Sequence, residues 1–260
     1  MDTDVLIDVI AAQSVRALAA LTRAGGGNPV PTTPDWTAAD LTWHLAEVQW
    51  FWGTIVEDLL LEPDPSGRPP RPQEEALPAF LAQQSERLVA ALRHRDPADR
   101  CYSWYDSGWS VGWVARRQAH EALIHRVDAE LAAGLQVTDA DPDLADDGID
   151  EMLEVMMQLP AWGTFTPDRV SVRVAATDTG SVRTLLLGRF AGTSPDSGAD
   201  HDIDAARLVA DEGPVQVTTP VSGPAWDLDR WLWGRLDTDA VLVEGDLAGA
   251  ERLRAAAQVD

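Results

Sequence analysis

Apolar positions along the first 160 residues recur three and four apart, the spacing of one helical face. Residues 5–23 keep that spacing and stop at "GGG", which predicts a helix closed by glycine. "NPVPTTP" reads as a stiff connector. "TAADLTWHLAEVQWFWGTIVEDLLL" predicts a second helix, beginning near Asp35 or Thr37 and reaching about Leu61. Thr37 and Asp40 are spaced as a capping box with Asp in place of Glu. Trp36, Trp43 and Trp50 repeat every seven residues, which puts them along one side of that helix. After the proline-rich loop "EPDPSGRPPRP" a third helix is expected over about 73–93. The irregular aromatic stretch "DPADRCYSWYDSG" leads to a fourth, over about 110–133, ended by Gly134. Four long helices with modest loops predict a helix bundle. A further helix is expected over 144–159.

The pattern then changes. "DRVSVRVAATDTG" and "SVRTLLLGRF" alternate at period two around Asp178–Gly180, which predicts a hairpin. "GTSPDSGADHD" reads as a loop, "AARLVA" and "PVQVTTPV" as short strands, "GPAWDLDRWLWGRL" as a helix, "AVLVEG" as a strand and "LAGAERLRAAA" as a last helix. The class expected is α+β, with a helix bundle over 1–162 and a smaller α/β domain over 163–260.

Composition narrows the function. Twenty basic residues, all arginine, face 43 acidic ones, a net charge of −23. Such a field repels phosphate backbones and anionic membranes, so neither nucleic acid nor membrane is an expected partner. Cys101 is the single cysteine, which excludes an internal disulfide and fits a reducing compartment. The start, "MDTDVLIDVIAAQ", is acidic where a secretion signal is basic. No unbroken apolar run reaches the roughly 20 residues that span a bilayer. A cytoplasmic protein is expected.

The fourth helix contains "VARRQAHEALIHRVDAE", which is charge-rich for an element of a bundle. Glu121 and His125 are four apart and share a face, with Arg117 one turn before and Asp128 three residues after. His120 and His125 are five apart, about 140° around the helix, so "HEALIH" is not the zinc-protease motif, whose histidines stand four apart. His94 and His201 lie in polar surroundings that read as surface. His44 lies mid-helix between Trp43 and Leu45. His44, Glu121 and His125 are therefore candidate ligands of a divalent metal, and three ligands leave the open position of a catalytic site. The bland alternative is ordinary ion pairing at a helix edge, with His44 satisfied by a backbone carbonyl. Cys101 reads as a small buried residue rather than a nucleophile. Trp104, Trp109 and Trp113 read as packing, with lining of a pocket as the alternative.

"VPTTPDWTAADLTWHLAEV", followed far downstream by "WVARRQAHEALIHRVDAE", resembles the N-terminal module of the mycothiol-dependent maleylpyruvate isomerase family, a DinB-like metal-binding four-helix bundle. "AATDTGSVRTLLLG", "VSGPAWDLDRWLWGR" and "VEGDL" resemble the family's smaller C-terminal domain, which is similar to sterol carrier protein domains. The resemblance implies zinc held by His44, Glu121 and His125, mycothiol as cosubstrate and a small electrophile as substrate. It also implies a substrate-binding arginine, matched best by Arg235 and less well by Arg230. Residues 191–213 look like an insertion relative to compact members. The expected function is a zinc-dependent, mycothiol-using isomerase or thiol transferase. The alternatives are a non-catalytic metal- or ligand-binding protein on the same scaffold, and a metal-dependent hydrolase.

Overall fold

The structure, a computed structural model, describes residues 1–105, 107–209 and 216–257. The chain divides into two compact units, Met1–Thr138 and Asp139–Asp260. The expected boundary after residue 162 thus lies downstream of the division by compactness, and the segment 139–162 groups with the second unit.

The first unit holds the four long helices: α1 (Thr3–Ala24), α2 (Ala38–Asp58), α3 (Leu77–His94) and α4 (Val111–Ala132). Local chemistry sets their starts. Asp2 caps α1 and Ser110 caps α4 through side-chain oxygens that accept backbone N–H bonds. Thr37 and Asp40 form the reciprocal capping box that opens α2. Gly25 closes α1, its N–H donating to the Leu21 carbonyl at 3.1 Å. Between the helices the core is filled by Ile7, Ile10 and Leu21 of α1, Leu41 and Leu45 of α2, Leu81 and Leu88 of α3 and Leu123 of α4, all 3% exposed or less. Each contributes about 1.5–3 kcal/mol relative to an exposed side chain.

Two expectations change here. "NPVPTTP" is not a plain connector. It holds a small antiparallel hairpin, β1 (Pro29–Val30) and β2 (Thr33–Thr37). Trp36 consequently stands on β2, and the heptad of tryptophans does not run along one helix. Three prolines in that stretch fix φ and remove donors, which hides a two-strand pairing from any periodicity argument. Secondly, α1 is long and apolar enough to reach across a bilayer by length and composition, with a mean hydropathy of 1.6 over an 18-residue window. Isolated polar residues break its apolar run but leave its average high. In the bundle its Leu6, Ile7 and Ile10 are core residues.

α4 is buried on every side, and Arg117, Gln118, His120, His125, Arg126, Asp128 and Glu130 are buried along with its alanines and aliphatics. Arg126, fully buried, donates to both oxygens of Glu130 and to the Thr138 carbonyl at 2.6 Å. Thr138 returns a backbone N–H to Glu130 at 2.9 Å. That network ties the chain after α4 back onto the helix.

The second unit contains α5 (Pro142–Asp150), which runs into a single π-helical turn, Glu151–Met156. A five-stranded sheet follows in the order β5-β4-β3-β6-β7, with β3 Thr164–Ala176, β4 Val182–Thr193, β5 Asp200–Leu208, β6 Thr219–Gly223 and β7 Leu242–Val243. β3 and β4 form the expected hairpin, turning through Gly180 at φ +78°, a conformation that favours glycine. "GTSPDSGADHD" is more than a loop, because its last residues begin β5, antiparallel to β4. The proposed insertion is therefore the β4–β5 turn and β5 itself; its residues 210–213 lie outside the described ones. "PVQVTTPV" begins outside them too, and its described end enters β6, parallel to β3. α6 (Ala225–Leu232) and α7 (Leu247–Ala256) complete the unit. α5 comes close to α6 at Gly148, where a Cβ would stand 2.8 Å from an Asp229 carboxylate oxygen. Arg183 on β4 grips α5 through Asp146 and Asp150, each at 2.7 Å.

Candidate metal centre

The Thr37 cap fixes where α2 begins, and His44 follows two turns later. On α4, Glu121 and His125 are one turn apart and turn toward α2. The Nε2 atom of His44 lies 3.2 Å from Oε1 of Glu121. The Nε2 atom of His125 lies 3.2 Å from the same oxygen. The two imidazole rings meet edge to face, with centroids 4.8 Å apart. His125 and Glu121 keep 10% and 13% of their side-chain surface, whereas His44 keeps 30%, so access to the cluster is from the His44 side. Trp36 covers part of that side, its ring centroid 4.8 Å from that of His44.

The cluster is charged. Burial opposes ionisation of Glu121, but the Arg117 guanidinium and then His125 overcome it and hold the carboxyl well below its usual range. Arg117 donates to Oε2 of Glu121, leaving Oε1 for the two histidines. Burial likewise disfavours a charged His125. The Glu121 carboxylate and the hydrogen bond to Asp128 outweigh it and raise its pKa. In the absence of metal, Glu121 is thus an anion between two histidine rings, with a protonated His125 as its ion-pair partner. A divalent ion and a proton would compete for the same Nε2 lone pairs.

The donor set fits such an ion. His44, Glu121 and His125 each offer one ligand atom, and these atoms lie within 4.8 Å of one another. Two donors bound at zinc distances and a tetrahedral angle stand roughly 3.3 Å apart, and both histidine nitrogens stand 3.2 Å from the shared carboxylate oxygen. Two imidazoles and one carboxylate suit zinc and its neighbours in the first row. Three protein ligands leave a position for an exchangeable group.

The other residues singled out in the sequence fall elsewhere. His120 is buried but does not belong to the ligand group. His94 is exposed. His201 is only partly exposed, because its ring packs 5.2 Å from Trp162. Cys101 is fully buried, and burial with the nearby Asp99 charge pushes its thiol up to about 11. It is no thiolate nucleophile. Trp109 and Trp113 pack with Trp52, Trp104 and Tyr102, the packing reading of these rings, although Trp104 stays 45% exposed. In the second unit Arg230 donates to Asp227 at 2.6 Å and lies over the Trp226 ring, while Arg235 donates to the Trp233 carbonyl at 2.6 Å. Thr32 of the hairpin was missed, since it stands at no helical spacing from the ligands, and Trp36 was read as one of a helical stripe of tryptophans rather than as a neighbour of His44.

Known proteins resemble the chain in sequence over its first half and in fold over nearly its whole length. Residues 7–130 match the family model described as the mycothiol maleylpyruvate isomerase N-terminal domain. The crystal structure of a mycothiol-dependent maleylpyruvate isomerase is similar over 95% of both chains, with a TM-score of 0.61 and 13% identity. A mutant of such an isomerase gives the same score and coverage at 14% identity. No curated protein sequence matches. At these identities the structures speak for the fold, and the family model speaks for the N-terminal unit. Residues 7–130 thus match a mycothiol maleylpyruvate isomerase N-terminal domain, and the chain as a whole has the fold of such isomerases.

Proposed function

We propose that the protein is a zinc-dependent enzyme that uses a low-molecular-weight thiol, mycothiol, to isomerise or alkylthiolate a small electrophile of the maleylpyruvate type. One observation carries the reading. The three ligand atoms of His44, Glu121 and His125 converge within 4.8 Å inside the stretch that matches the family model.

His44, Glu121 and His125 would hold the ion, while Arg117 keeps the second oxygen of Glu121 occupied. When bound, zinc supplies the Lewis acidity that keeps a thiol deprotonated at neutral pH. The buried Cys101 leaves the nucleophile to an external thiol. Addition of that thiolate to an activated carbon–carbon double bond leaves a single bond free to rotate. Elimination of the thiol then gives the trans isomer, and retention gives a thioether. Arg235 is assigned to the substrate carboxylate, by bidentate contact. Arg230, which donates to Asp227 at 2.6 Å, is the weaker match to the family's arginine and the alternative.

The test incubates zinc-loaded protein with mycothiol and maleylpyruvate and identifies the product. Turnover that needs both metal and thiol supports the reading. A trans isomer means isomerase, a stable thioether means transferase. Turnover without thiol contradicts it.

A further inference from the structure

We propose that Asp128 and Thr32 are positioning residues of the metal centre, and that the hairpin β1–β2 is the element that sets the orientation of His125. The proposal rests on the metal-centre reading above and extends it to residues that the ligand set does not include.

Asp128 is a carboxylate with no exposure at all, on a helix already crowded with charge. Burying such a group is costly unless its oxygens are satisfied. One oxygen, Oδ2, lies 2.9 Å from Nδ1 of His125. The other, Oδ1, accepts the Thr32 hydroxyl at 2.5 Å. A carboxylate can only accept, so the ring nitrogen facing it is the donor. That keeps a proton on Nδ1. Without metal, Nε2 faces the Glu121 carboxylate and donates as well; an ion that displaces this second proton takes the Nε2 lone pair, while Nδ1–H stays on Asp128. A carboxylate behind a ligating histidine fixes its tautomer and ring angle and strengthens it as a base.

Thr32 comes from a different part of the chain, 96 residues from Asp128, at the turn between β1 and β2. Its hydroxyl fixes the carboxylate plane, and the carboxylate fixes the ring. The same hairpin contributes Trp36, which packs on the other histidine, His44, at 4.8 Å. One nine-residue hairpin, Pro29 to Thr37, therefore touches both histidines, one by a hydrogen-bond chain and one by ring packing. The two-strand pairing and the capping box at Thr37 hold it in place from either end.

The test is a titration of metal-free protein with zinc against a competing chelator, at one pH, for the wild type, Thr32→Val, Thr32→Ser and Asp128→Asn. Cobalt(II) is added in parallel as a spectroscopic probe. The wild type should bind one ion per chain. Asp128→Asn should weaken zinc binding about 10- to 100-fold, and Thr32→Val about 10-fold, with altered cobalt absorption and unchanged stoichiometry. Thr32→Ser, which restores the hydroxyl, should recover wild-type affinity and spectrum. Valine keeps the shape of threonine, so circular dichroism of the metal-free Thr32→Val protein should match the wild type. A metal-binding wild type with equal affinity and spectrum in Asp128→Asn and Thr32→Val would overturn the positioning role alone. A wild type that binds no metal would overturn the metal centre itself, and the positioning role with it.

Discussion

His44 and Glu121 are 77 residues apart in the chain and meet at 3.2 Å, Nε2 to Oε1. The contact joins α2 to α4 at the point where His125 also arrives, and the candidate chemistry depends on it.

Helical phase makes the first prediction. His125 faces Glu121, and His120 does not join the ligand group. His125→Ala should take bound zinc from about one per chain to near none, while His120→Ala keeps it. Elemental analysis of both variants, with circular dichroism as a control for folding, checks this. Equal loss in both would mean that the assignment of faces is wrong.

The start of α2 sets the position of His44. Thr37→Ala removes the side-chain oxygen that accepts from the Asp40 N–H at 3.3 Å. The expected loss is about 1 kcal/mol in unfolding free energy, read from denaturant melts of the metal-free protein.

Acid should weaken the second unit by a route independent of the metal. Burial opposes ionisation of Asp146, but hydrogen bonds from Arg183 and Ser181 overcome it and lower its pKa below the ordinary 3.8. A depressed carboxylate contributes stability above its unfolded pKa and loses it as pH falls through the lower folded value. The loss should therefore begin as pH drops below about 4. Asp146→Asn should flatten the part of the stability curve below that point, and lower stability at pH 7 by about 1–3 kcal/mol through the weakened contact with Arg183. Urea melts across pH 3–7 measure both effects.

Cys101 gives a negative control. Fully buried and with its thiol pushed up to about 11, it should react with a disulfide reagent only on unfolding. Cys101→Ala should leave thiol-dependent turnover within about twofold of the wild type. Labelling kinetics and a rate assay decide it.

Much of the first unit was legible because its physics is local. Glycine stops, the Thr37–Asp40 box and the helical spacing place α1 to α4 within a few residues. Glu121 and His125 were legible as a pair because i and i+4 share a face. What connects them to His44 is tertiary; its place mid-helix between Trp43 and Leu45 singled it out, and the resemblance to a family pointed to the same residue. The hairpin was not legible. Prolines mask its strand pattern, and the value of Thr32 appears only when a carboxylate 96 residues away is seen to be fully buried. In the second unit the end of β5 was legible as "AARLVA", whereas its start was hidden in an acidic, glycine-containing stretch. Asp200, Asp202 and Asp204 stand on this edge strand of the sheet, where charge blunts edge pairing at the expense of the apolar signal.

The most direct measurement is the zinc content of gently purified protein, wild type beside His44→Ala, before and after zinc is added back. About one zinc per wild-type chain, absent from the variant, is the result expected if His44, Glu121 and His125 form one site. No zinc in the wild type after reconstitution, or the same content in both proteins, would contradict it.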